Sequence, residues 1–244
     1  VCPEARTMNL PDSLMGDAIR FVICHEVGHS LGLRHNMIAS AAFAVDSLRS
    51  RSFTDRMGCT SASIMDYARY NYIAQPGDGV TKLAPHIGPY DLLAIEYGYR
   101  WYGTMSPEAE RKHLNALLKA HTGSLYRYSE AQSSRDAVDP RALSEDLGDD
   151  AVNAATCGIK NLKVAMDNIL QWTTTGEENQ TYEEASRLHY AIVNQWNNYL
   201  YHVLANVGGI YPENTTVGDG VATFTFVPRE KQQRAVKFLI DNVV

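Results

Sequence analysis

The run Cys24-His25-Glu26-Val27-Gly28-His29-Ser30-Leu31-Gly32-Leu33-Arg34-His35-Asn36 concentrates the residue types that do chemistry. His25 and His29 stand four apart, so on an α-helix they share a face, one turn above the other. Two imidazoles at that spacing can grip one metal ion from one side. Glu26 adjoins His25 but is rotated about 100° around the helix axis. It is therefore free to stand off the metal and act as a base toward a water. Gly32 follows His29 by three residues, where its tolerance of the left-handed conformation ends a helix. The returning chain then offers His35 as a third ligand. Three neutral histidines leave one tetrahedral position open, the catalytic arrangement and not the closed structural one.

The pattern H-E-x-x-H-x-x-G-x-x-H resembles that of the metzincin zinc peptidases. Those enzymes also carry a methionine turn beneath the metal. Ser63-Ile64-Met65-Asp66-Tyr67 is similar to it, with Met65 thirty residues beyond His35. The resemblance implies Zn2+ on His25, His29 and His35, Glu26 as general base and later acid, Met65 as a packing residue below, and a protein or peptide substrate. Tyr67 is similar to the tyrosine that approaches the zinc and the reacting carbonyl oxygen in astacins and serralysins. Two readings of it stand: a donor to the developing oxyanion, and a buried tyrosine with a backbone partner. Asp66 is either the partner of a zinc-bound histidine or a solvated turn residue.

Three more motifs extend the resemblance over nearly the whole chain: Gly88-Pro89-Tyr90-Asp91, Asp146-Leu147-Gly148-Asp149-Asp150-Ala151 and Val207-Gly208-Gly209-Ile210-Tyr211. With the methionine turn they are similar to the C-terminal metzincin-type module of large, poorly characterised bacterial zinc-dependent metalloproteases of Bacteroidetes type. That implies an exported protein, extracellular, periplasmic or at the cell surface. Asn36 departs from the Glu, Pro, Asp or Ser that follows the third histidine in better-known subfamilies, so no subfamily's substrate preference carries over.

Several elements must position this site. Pro11-Asp12-Ser13 opens a helix over about 12–31, with Asp12 and Ser13 as good N-cap types. Leu14, Met15, Ala18, Ile19 and Val22 form its apolar stripe. Met37 to Arg49 reads as a short helix or a packed loop, and residues 50–63 as loop. Residues 66–89 read as a long, exposed connection that shapes the substrate pocket. Helices follow over 89–99 and from Ser106-Pro107 to about Ala120. Residues 124–148 are polar, with Asp139-Pro140 as a breaker. A long helix is expected over 149–172, with Val152, Ala155, Ile159, Leu162, Met166, Ile169 and Leu170 on its face. A second runs from Thr181 to about Val207 and stops at Gly208-Gly209. Short strands at 210–211 and 221–227 precede a last helix with Ala235, Val236, Leu239 and Ile240 on its face.

The fold expected is therefore mainly α. A zinc helix and methionine-turn half, 1–123, packs with a helical half, 124–244, that carries a small β-hairpin. Only 24 residues precede His25, too few for the twisted sheet that metzincins place before the zinc helix. The expected partner is the N-terminal part of the same full-length protein.

Composition narrows the classes. The 244 residues carry a formal net charge of −6 and no basic run, which argues against nucleic acid. No apolar stretch approaches the roughly 20 residues that span a bilayer, so no transmembrane segment is expected. Residues 1–10 lack the apolar core of a signal peptide. Cys2, Cys24, Cys59 and Cys157 form no C-x-x-C pair. Cys24, turned about 100° from His25, reads as a small hydrophobe and not a ligand. The first function expected is a zinc endopeptidase. The alternatives are a zinc-stabilised binding module and a catalytically incomplete fragment of a larger protease.

Overall fold

A 19-residue helix, α1 (Asp12–Ser30), leads a computed structural model of the chain, which describes residues 2–130 and 138–243. The helix starts where expected, but Pro11 is its cap and no side chain takes that role. The backbone N–H groups of Leu14 and Met15 turn back to the Pro11 carbonyl instead. Only His25 and Gly28 of α1 are buried. Met15, Ile19, Ile23, Val27 and Leu31, spaced four apart, are between 40% and 56% exposed. Of the expected stripe, Met15, Ile19 and Val22 are exposed and Leu14 and Ala18 half-buried, so it marks a helix but lies largely uncovered.

The chain then packs tightly. Residues 39–42 form one 3-10 turn, followed by α2 (Val45–Leu48) and α3 (Arg51–Met57). The expected loop over 50–63 is thus half helix. Ser50 caps α3 by accepting from Phe53 N–H, and Gly58 closes it at φ +67°. The connection over 66–89 is not the exposed loop expected. Ala68, Ile73, Ala74, Val80 and Ala84 are buried along it. Side chains take over its backbone accounting. Asn71 donates to the Leu48 carbonyl (2.8 Å) and accepts from Ile73 and Ala74 N–H. Asp78 receives a two-pronged bond from Arg49. Phe43, Leu48, Cys59, Ile73 and Leu147 close the core beneath.

Helices α4 (Pro89–Tyr99) and α5 (Pro107–Ala120) fall where expected, α5 capped by Ser106. The polar stretch after α5 includes residues 131–137, which lie outside the described residues. The long helix expected over 149–172 is two: α6 (Ala151–Asp167) and α7 (Ile169–Thr173). Asn168 divides them, its side chain donating to the Val164 carbonyl at 2.8 Å in the way amide side chains compete with helix bonds. Helix α8 (Glu183–Leu204) crosses α6 closely at Gly158, where an added Cβ would lie 2.5 Å from the Tyr199 ring. The glycine that weakens α6 as a sequence is what admits its neighbour.

Strands β1 (Ile210–Pro212) and β2 (Phe224–Phe226) form an antiparallel hairpin with Tyr211 opposite Thr225. Helix α9 (Arg229–Val243) completes the packing with Ala235 and Phe238 against Ala155, Ile159, Tyr199 and Val203. Its inward face is 235–238–239; Val236 and Ile240, expected on that face, are exposed. Among the described residues the protein is mainly helical with one small hairpin, as its sequence implies.

Candidate metal centre

Helix α1 carries His25 and His29 on one face. It ends in a double hydrogen bond that sets the bend: Gly32 N–H donates to the His29 carbonyl (2.9 Å) and Leu33 N–H to the Gly28 carbonyl (3.0 Å). Gly32 holds φ +83°, which glycine tolerates without penalty. The reversal brings His35 back against the helix. Ring centroids are 4.8 Å apart for His25 and His29, 4.7 Å for His29 and His35, and 5.3 Å for His25 and His35.

Hydrogen bonds fix which nitrogens face the centre. His25 Nδ1 lies 2.9 Å from the Ile64 carbonyl, and His29 Nδ1 lies 2.9 Å from the Leu33 carbonyl. A carbonyl only accepts, so both Nδ1 atoms carry a proton, and in the neutral ring each Nε2 then presents its lone pair. His25 Nε2 is buried with no partner among the described residues. His29 Nε2 and His35 Nε2 are 3.1 Å apart, a spacing that needs a proton or a cation between them. Burial pushes the pKa of His35 down, the nearby His29 and His25 push it further, and Glu26 opposes them. One nitrogen from each ring lies within 4.8 Å of the others. An orphaned buried imidazole nitrogen among converging neutral donors fits a metal of zinc's preferences.

Glu26 stands on the neighbouring, exposed face of α1. Cys24 is half-buried with a free thiol, and among the described residues it is outside the cluster. Tyr67 is 44% exposed, which removes the buried alternative. Its ring stacks on His25 (5.2 Å between centroids) and leans on His35 (4.5 Å).

Met65 is fully buried under α1, its sulfur facing Gly28 so closely that a Cβ there would lie 2.3 Å away. Asn36 N–H donates to the Met65 carbonyl at 3.1 Å. The Asn36 side chain, also fully buried, donates to the Arg127 carbonyl and accepts from Ser129 N–H. The unusual residue after the third histidine thus fastens the 127–129 segment beside the site.

Asp91 is the residue that sequence reasoning left without a role. Its carboxylate accepts from Ser63 hydroxyl (2.5 Å), Ile64 N–H (2.7 Å) and Gly88 N–H (2.7 Å). Ile64 is the residue whose carbonyl orients His25. Gly88 is required by contact: a Cβ would fall 2.2 Å from the Ala62 carbonyl oxygen. Burial pushes the pKa of Asp91 up, and its three donors pull it back. The signal was the motif Gly-Pro-Tyr-Asp itself, a helix start whose third helical residue is acidic.

Asp66 takes neither role expected of it. It is fully buried and accepts from Ser40 N–H at 2.6 Å, while the Ser40 hydroxyl donates to Asp146 at 2.8 Å. Burial pushes both carboxyls well above the usual range, and Asp146 adds to the effect on Asp66. His25 and His29 instead use main-chain carbonyls.

The match with known sequences agrees with this geometry. A family model described as Met-zincin matches residues 7–244. No curated protein and no solved structure matches the chain.

Proposed function

The chain belongs to the Met-zincin family, and from that premise we propose that it is a zinc-dependent endopeptidase. The observation that carries the reading is the convergence of three imidazole nitrogens within 4.8 Å, with the Nδ1 atoms of His25 and His29 held by main-chain carbonyls so that their Nε2 atoms are left to face a metal. His25, His29 and His35 would hold the ion. Zinc, when bound, supplies a Lewis acid that acidifies water and polarises a carbonyl. Glu26 takes the proton of the attacking water and returns it to the leaving amine nitrogen. The Tyr67 hydroxyl donates to the carbonyl oxygen as it gains charge. Met65 and Gly28 keep the floor of the site closed.

The test is metal content and cleavage side by side. Glu26→Gln is expected to bind one zinc per chain and to lose peptide cleavage. A chain that takes up no zinc, or a variant that still cleaves, sinks the proposal.

A second reading has its own observation. The uncovered stripe on α1, Met15 to Leu31, supports a catalytic unit completed by the N-terminal part of a longer polypeptide. Cleavage by the longer protein but not by this chain would favour it. The resemblance further suggests an extracellular, periplasmic or cell-surface setting. Among the described residues no helix is long and apolar enough to cross a membrane.

A further inference from the structure

The turn that carries Tyr67 is tied on both sides to one short stretch, Ser144-Glu145-Asp146. Before Tyr67, Asp66 is bound by Ser40 N–H, and the Ser40 hydroxyl donates to Asp146. After it, Arg69 pairs with one carboxylate oxygen of Glu145. The same stretch is held by α8. Asn198 Nδ2 donates to the other oxygen of Glu145 at 2.9 Å, and His202 Nε2–H donates to the Ser144 carbonyl at 3.0 Å.

Glu145 also sits at φ +68°, a left-handed conformation that costs a side-chain-bearing residue energy and persists only where its surroundings impose it. Both of its carboxylate oxygens are engaged, one toward the turn and one toward the helix. Tyr67 has little anchoring of its own. Among the described residues no partner binds its hydroxyl, and its ring is placed by its backbone and by the imidazole faces it touches.

We propose that Glu145 is a positioning residue for Tyr67: by bracing Arg69 against Asn198 of α8, it sets where the Tyr67 ring stands over His25 and His35. Its bearing on catalysis rests on the reading of Tyr67 as a donor to the reacting carbonyl; the placement of the ring does not. One route from the helical half of the molecule to the metal centre thereby runs through Glu145.

The placement is read by NMR on the metal-free chain, with tyrosine ring carbons labelled and Tyr67 assigned by Tyr67→Phe. Rings stacked on imidazoles are shifted by ring currents, so the native Tyr67 signal lies away from that of free tyrosine. Glu145→Gly relieves the backbone and removes both ties; the signal is expected to move most of the way to the free value. Glu145→Gln retains the shape of the brace, its amide oxygen accepting from Arg69 and its NH2 donating to the Asn198 amide once that is turned end for end, and is expected to stay near wild type. Arg69→Met cuts the tie from the other end and must reproduce the Gly shift, which also decides the matter if Glu145→Gly fails to fold. An unmoved Tyr67 signal in these variants overturns the proposal.

Kinetics of the full-length protein give the second readout. Glu145→Gly is expected to lower kcat with little change in KM, and to have no further effect when Tyr67→Phe is already present. Additive losses overturn the proposal. Absence of cleavage by the unaltered protein would sink the peptidase reading, while the NMR result still decides the brace.

Discussion

At the scale of single residues, the centre depends on side chains that never touch the metal position. Asp91 grips Ser63, Ile64 and Gly88, and the Ile64 carbonyl turns His25. Partners of this kind typically change metal affinity about 10–100-fold when lost. Asp91→Ala is therefore expected to weaken zinc binding by a factor in that range, measured by competition with a chromogenic chelator. Unchanged affinity in a folded variant would show the clamp to be unrelated to the ligand. The grouping of the three histidines was legible because their spacing is itself geometry, and the burial of Met65 because its turn resembles a known one. Asp91 was legible only as the acidic residue of a helix start; its grip on Ser63 and Ile64 needs the loop over 61–64 and the start of α4 side by side, which the local motif does not announce. Asp66 misled for a related reason: a carboxylate beside a methionine turn reads as a histidine partner or a solvated turn residue, whereas the fold buries it against Ser40 and Asp146.

At the scale of elements, periodicity located helices well and their covered faces less well. The expected limits of α4 and α5 agree with those observed because proline, serine and glycine punctuate them. The stripe of α1 was equally clear, yet among the described residues no element lies over its exposed members. Periodicity reports that one side is apolar, not that a neighbour exists. Helix α8 carries a pH dependence of its own. Burial pushes the pKa of His202 from 6.5 down to about 4, against the bond to Ser144. The folded chain thus keeps His202 neutral where the unfolded chain takes a proton. Its contribution is full above pH 6.5 and is lost as pH falls toward 4. The loss amounts to about 3 kcal/mol at most. The raised pKa values of Asp66 and Asp146 act in the opposite sense: their share is present in acid and lost as pH rises through their folded values. His202→Gln retains an amide donor without the titration. Urea unfolding of variant and wild type between those pH limits is expected to converge in acid, the variant losing less stability. Parallel curves would assign the acid loss elsewhere.

At the scale of the whole molecule, the metal centre lies between a well-packed underside and an uncovered helix. Leu48, Met65, Ile73 and Leu147 close the lower side, whereas Ile19, Ile23 and Val27 stand exposed on α1. An apolar row of this length invites association. Replacing Ile23 with Glu and Val27 with Lys is expected to reduce dye binding and self-association of the isolated chain. Stability should shift by no more than about 0.5 kcal/mol, as for other surface changes. A large loss of melting temperature would mean that the row is covered after all. The hairpin and α9 were legible as types, but the division of the long helix at Asn168 was not, since an amide that bonds its own helix leaves no trace in periodicity.

One consequence of the main-chain oxygens at Leu33 and Ile64 concerns how such a centre tolerates change. Every amino acid supplies the same oxygen, so drift in the side chains at those two places cannot delete the acceptors that His25 and His29 rely on. The vulnerable points are the hinges that aim those oxygens. Gly32 and Gly88 are where an ordinary replacement would misdirect the ligands while leaving each of them in place.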